Sequence, residues 1–128
     1  MSSGSEISSY QDLKVWQEAM NLAEQCYELT QGFPKDEMYG MTSQIRRAAV
    51  SVAANIAEGH GRETTGVFVQ FLRIAQGSLK ELETHLILSQ RVRLCSVASA
   101  APSLERADSL GRMLRSLIRS LQKRGESV

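Results

Sequence analysis

The sequence is poor in the residues that usually announce a chemistry or a compartment. It has two cysteines, two prolines and an aromatic content of 5%, and its 15 basic residues are offset by 14 acidic ones to leave a net charge of +1. Cys26 and Cys95 lie too far apart for a zinc or redox spacing, so each is expected to pack as a small apolar residue in a reducing compartment. No apolar run approaches the ~18 residues of a membrane span, and Met1–Tyr10 has no basic-then-apolar leader. These absences point to a soluble, cytoplasmic protein with no membrane partner. The near-neutral total gives no immediate case for nucleic-acid binding. What is present is 128 residues that are 42% hydrophobic. That is too apolar for wholesale disorder and of a size for one domain.

The few breakers are informative by position. Pro34 and Pro102, with Gly32, Gly40, Gly59, Gly61 and Gly66, read as helix stops and loops. They divide the chain into blocks at 10–31, 37–60, 64–93 and 103–124, with no room for a strand layer. Trp16, Ala19, Ala23 and Cys26 form a seam on the first block, widened by Met20 and Tyr27. Met41, Ile45, Ala48, Val52 and Ile56 do so on the second, whose interior is unusually small. The third carries Phe68, Phe71, Leu72, Ala75, Leu79, Leu82 and Leu86, opens at Thr64 or Thr65, and contains Gly77, expected to mark a close contact. The fourth is expected to begin after Pro102 with Ser103 as its cap, and to bury Leu110, Leu114, Leu117, Ile118 and Leu121; Leu94–Ala101 reads as a connection. Together these predict an all-α, antiparallel up-down-up-down four-helix bundle over 10–124, with flexible tails at 1–9 and 125–128.

The balanced total charge conceals a split. Residues 1–60 carry four basic and eight acidic side chains, a net −4, whereas 61–128 carry eleven and six, a net +5. Arg112, Arg115, Arg119 and Lys123 follow at i, i+3, i+7 and i+11 on a face opposite the leucines of the fourth block. Such a row is either a solvated helix face or a contact surface for phosphates or an acidic partner. Its arginines suit bidentate contacts, and it has no interleaved aromatic residue for base stacking. Arg62, Arg73, Arg91 and Arg93 make a second candidate basic group. Alternatively, acidic first helices carrying Glu18, Glu24 and Glu28 dock on basic fourth helices between subunits.

No enzyme emerges. Glu81 and Glu83 stand four and two residues before His85, so neither forms the Glu-x-x-His pair of a di-metal bundle. Gly59-His60-Gly61 follows a helix and lacks the spacing of a phosphate-gripping loop, and no nucleophile motif is present. Ser51 and Ser78 read as small packing residues. The expectation is no catalytic residue, no metal, no cofactor and no small-molecule substrate. Asn55, Glu58 and Glu81 remain as polar residues on faces expected to pack. Asn55 and Glu58 either hydrogen-bond to neighbouring helix backbones or to Arg62 and so fix a turn, or line a subunit interface or ligand groove.

Five segments in order carry a resemblance: Tyr10–Ala19 (YQDLKVWQEA), Thr30–Pro34 (TQGFP), Glu37–Ala49 (EMYGMTSQIRRAA), Ser51–Gly59 (SVAANIAEG) and Phe71–Glu83 (FLRIAQGSLKELE). Over about residues 10–93 the chain resembles the bacterial four-helix-bundle proteins encoded in intervening sequences of 23S rRNA, a family that includes the accessory variability proteins of diversity-generating retroelements. The resemblance implies a homo-oligomer, a pentameric ring, without catalytic activity. In the retroelement members it implies binding of a reverse transcriptase and of RNA or DNA through basic surfaces. It makes Asn55, Glu58, Gly59, Gly77 and Ser78, with Glu81 beside them, determinants of fold and assembly. The segment Arg91–Ser96 stands where the family has a Gly-Tyr type turn.

Overall fold

A computed structural model describes residues 9–126. Among them are four helices, α1 (Lys14–Gln31), α2 (Met41–His60), α3 (Thr65–Arg91) and α4 (Val97–Glu126), with short 3-10 turns at Tyr10–Asp12 and Lys35–Glu37 and no strand. The four-helix bundle expected from the periodicity is the fold. Each helix packs on two neighbours, in the cyclic order α1, α2, α3, α4 and back to α1, with no direct packing across either diagonal. Short connections make successive helices antiparallel.

Local chemistry explains the boundaries. Ser9 and Asp12 cap one another's backbone at the first turn: Ser9 Oγ accepts from the Gln11 N–H at 3.1 Å, and Asp12 Oδ2 accepts from the Ser9 N–H at 3.2 Å. Glu37 Oε1 accepts from the Met41 N–H at 3.0 Å and so satisfies an orphan donor at the start of α2. Thr64 Oγ1 caps α3 through the Val67 N–H at 3.3 Å. At the other end of α3 the Arg93 N–H bonds to Gln90 O and the Leu94 N–H to Ser89 O, with Arg93 at φ 66°. This is a Schellman closure whose left-handed position holds arginine instead of the customary glycine.

The fourth helix corrects an expectation. It starts at Val97, with the Ser99 N–H donating to Ser96 Oγ at 3.0 Å, and it contains Pro102. Pro102 removes one donor and crowds the carbonyl of Ala98, but both residues are exposed, so water can take that carbonyl. Ser103 is therefore a buried helix residue and not a cap; its Oγ has no partner of good hydrogen-bond geometry, and its polar neighbour is the Cys26 thiol. Ser9 at one end and Gly125–Glu126 at the other belong to capped or helical structure instead of tails. The rest of the expected tails, 1–8 and 127–128, lies outside the described residues.

The core comes from the expected stripes with one rotation. On α1 the buried apolar residues are Val15, Ala19, Leu22, Ala23 and Cys26, while Met20 and Tyr27 are 38% and 41% exposed. Trp16 is half-buried against Tyr10, edge to face at 5.2 Å. Ile45, Val52 and Ile56 of α2, Leu72, Leu79, Leu82 and Leu86 of α3, and Leu110, Leu114 and Ile118 of α4 complete the interior. Cys26 is fully buried, and burial pushes its thiol up to about 12, the Ser103 hydroxyl opposing this in part. It is an inert core residue; Cys95 is half-buried, its thiol also raised by burial, and both thiols are free.

The close approach of α2 and α3 is set by Gly59 and not by Gly77. A Cβ on Gly59 would stand 2.5 Å from Phe71 Cβ and 3.1 Å from the Phe68 ring. One on Gly77, which is exposed, would meet nothing within 4 Å. Gly77→Ala is expected to raise stability in urea unfolding by about 1 kcal/mol, the ordinary helix-propensity gain. A loss instead would place that glycine against another chain.

Candidate functional site

Burial of Leu110, Leu114, Ile118 and Leu121 turns the opposite side of α4 outward, so Arg112, Arg115, Arg119 and Lys123 are all exposed. They are not equivalent. Arg112 pairs with Asp108 one turn earlier on the same helix. Arg115 reaches over Gly111 and, with Gln76, Gly77 and Lys80, borders a groove of about 290 Å³ between α3 and α4. Arg73 lies one turn before Gly77. Because α3 and α4 run antiparallel, it sits toward the same end of the groove as Arg119. Arg73, Arg115, Arg119 and Lys123 make no ion pair or hydrogen bond among the described residues.

The second expected basic group does not come together. Arg62 sits at the α2–α3 turn, bonded to Glu58 at 3.1 Å and held 5.3 Å from the Phe71 ring centroid. Arg91 ends the 27-residue α3 and Arg93 lies just past it, about 40 Å away at the helical rise. Only Arg73 of the four joins the α4 row.

Pairing between the acidic and basic halves does occur, within the chain. Arg106 of α4 donates to Glu18 at 2.9 Å and to Gln25 Oε1 at 3.1 Å, both on α1. Arg106 is outside the four-residue row, and nothing in its spacing distinguished it. Glu24 and Glu28 remain exposed and make no ion pair among the described residues.

The polar signature resolves into separate roles. Asn55 donates to Ser51 O at 2.8 Å and Ser51 Oγ at 3.1 Å, and Ser51 Oγ meets Ser78 Oγ at 2.8 Å, so a hydrogen-bonded chain ties α2 to α3. Asn55 thus bonds within its own helix and not to a neighbouring backbone. Glu58 takes Arg62, whose charge offsets the unfavourable placement of an acid at a helix C-terminus. Glu81 is exposed, correcting its expected place on a packed face. It lies 3.4 Å from His85 and borders a polar groove with Gln44, Arg47 and Ser51. His60 is the last residue of α2 and packs edge-on to Phe68 at 5.6 Å. Among the described residues no three His, Cys, Asp or Glu side chains cluster as metal ligands would. No helix among them is long and apolar enough to cross a membrane.

Sequence spacing missed one further cluster, at the corner where α1 ends and α2 begins. Arg46 donates from Nε to Thr30 Oγ1 at 2.9 Å, and its guanidinium lies 4.5 Å from the Tyr27 ring centroid. Tyr39 and Arg47 stand beside it. The signal was present in the segment EMYGMTSQIRRAA, which places Tyr39, Arg46 and Arg47 within nine residues. The partner ring of Tyr27 comes from another helix.

Residues 11–116 match the sequence pattern of the 23S rRNA-intervening sequence proteins. Among solved structures, the chain is similar to a protein of unknown function from the S23 ribosomal protein family of Bacteroides thetaiotaomicron. The two are 22% identical with a TM-score of 0.73, and the match covers 81% of this chain and 97% of that one. At that identity the likeness concerns the fold. No curated protein matches the chain.

Proposed function

Since the chain belongs to the 23S rRNA-intervening sequence protein family, we propose that it is a non-enzymatic bundle that assembles with copies of itself and binds nucleic acid along the α3–α4 side. The observation that carries this is the row Arg115, Arg119 and Lys123, exposed beside Arg73 and without partners among the described residues, while Arg62, Arg106 and Arg112 are all engaged. Unpaired arginines on one rigid helix present a fixed row of bidentate donors to phosphates. Self-assembly repeats that row once per subunit, and a pentameric ring would display it five times. The resemblance to retroelement accessory proteins makes a reverse transcriptase an additional proposed partner.

Binding of this kind displaces counterions, so it weakens steeply with salt. Anisotropy of labelled RNA and DNA is expected to report binding at ~50 mM salt and a loss of about 100-fold by ~200 mM, if some four phosphates are neutralised. No binding at the lower salt sinks the proposal. Light scattering on the same samples gives the subunit number.

A second function is favoured by Arg106, whose bonds to Glu18 and Gln25 demonstrate that α1 accepts an α4 arginine. In that case Arg115 and Arg119 dock on Glu24 or Glu28 of another copy, and the protein is a structural or interaction oligomer without nucleic-acid affinity.

A further inference from the structure

The arginines of α4 have no aromatic residue among them, but the α1–α2 corner, on the opposite side of the bundle, combines both. There a cavity of about 560 Å³ opens to solvent, bordered by Tyr27, Met38, Tyr39, Ser43, Arg46 and Arg47. That volume lies within the ~300–1,000 Å³ typical of small-ligand sites. No carboxylate borders it. Tyr39 is 97% exposed, a whole phenol ring held in water by the turn before α2, and Met38 beside it is 47% exposed.

The cationic half of the cavity is pre-set. Thr30 is buried and donates to Cys26 O at 2.8 Å, which aims its oxygen at Arg46. Arg46 Nε donates to that oxygen, and the guanidinium stacks on Tyr27. Its two Nη groups are left without a hydrogen-bond partner among the described residues, as is the exposed Arg47. A guanidinium fixed by one bond and one ring loses little freedom when it takes an anion.

From this we infer that the corner takes one unpaired nucleotide of single-stranded RNA or DNA, its base stacked on Tyr39 and its phosphate held by Arg46 and Arg47. Stacking platforms beside cations are how proteins hold single strands without reading sequence, and they need a base free of its duplex partner. An acidic peptide would satisfy the arginines but would leave the Tyr39 ring without a planar group to cover it. The ligand class rests on the nucleic-acid function proposed above; the site itself is separate from the α4 row.

The test is anisotropy with a labelled oligo(dT), an oligo(U) and a blunt duplex of the same length. Tyr39→Ala and Arg47→Ala are the variants; both side chains are exposed, and thermal melts check that the fold is kept. Tyr39→Ala is expected to weaken single-strand binding about tenfold and to leave duplex binding unchanged. Arg47→Ala is expected to reduce the single-strand salt slope by about one. Single-strand affinity unchanged in both variants overturns the inference. So does an equal loss on single strand and duplex, which marks a general charge effect. Wild-type protein that binds duplex alone overturns the inference and leaves the function standing. Wild-type protein that binds neither overturns the function. The corner is then read directly by amide shifts of residues 38–47 on titration with uridine monophosphate, where absence of a Tyr39-dependent shift overturns the inference as well. Binding of a polyglutamate peptide that depends on Tyr39 and Arg47, with no oligonucleotide binding, assigns the corner to an acidic protein partner and also overturns it.

Discussion

Gly59→Ala is expected to destabilise the bundle by about 2–3 kcal/mol, at the upper end of what one added methyl costs a packed interior. The methyl would fall 2.5 Å from Phe71 Cβ. That atom sits directly on the α3 backbone, so no rotamer change relieves the clash and the two helices must separate. Separation loosens the Phe68 and Phe71 rings and strains the Ser51–Ser78 hydrogen bond. The propensity gain of alanine over glycine, about 1 kcal/mol, is too small to compensate. In thermal unfolding the midpoint should fall by about 10 °C. Gly61→Ala is the control: its Cβ would meet only the Glu58 and Ala57 carbonyl oxygens, at 3.5 and 3.7 Å, both ordinary contacts. If Gly59→Ala melts like the wild type, Gly59 does not set the helix spacing.

Reversing two charges on α4 should have the largest effect on binding. The double variant Arg115→Glu, Arg119→Glu is expected to lower affinity for RNA and DNA by at least about 100-fold at ~50 mM salt and to flatten the salt slope by about two. Both side chains are exposed and unpaired, so the melting temperature should barely move. Light scattering distinguishes the two proposed functions. An oligomer that persists while binding is lost supports a phosphate surface. An oligomer that falls apart assigns these arginines to Glu24 or Glu28 of a neighbouring subunit.

The bundle was legible because apolar spacing at 3.6 residues survives almost any tertiary arrangement. The exceptions have physical causes. Trp16 drew the α1 seam toward itself, but an indole beside Tyr10 is comfortable half-buried, and Val15 and Leu22 take the interior. Pro102 read as a helix stop, yet a proline whose freed carbonyl faces water costs little enough for a helix to run through it. Gly59 and Gly77 look alike in sequence; only the presence of Phe71 opposite one, and of nothing opposite the other, separates them. The α4 row was visible because its members share a helix. The Tyr27–Arg46–Thr30 cluster was not, because its members are up to 19 residues apart and on two helices. Charge counting could not see that Glu58 and Phe71 already hold Arg62, at the α2–α3 turn and away from the α4 row.

The cyclic order of the helices also has a consequence in time. The α2–α3 pair is joined by a short turn and held by local contacts, the kind that form fast. Of its two neighbours, α1 meets the first early and the second only when α4, the last of the four to leave the ribosome, arrives. Until then the stripe of Leu22 and Cys26 is covered on one flank only. A nascent chain therefore carries an open apolar seam for as long as α4 takes to be made, and the bond from Arg106 to Glu18 forms among the last. Pauses in synthesis within the codons for 97–126 would prolong that exposure, so the bundle's vulnerability to aggregation is set by the pace of translation as much as by the stability of the finished fold.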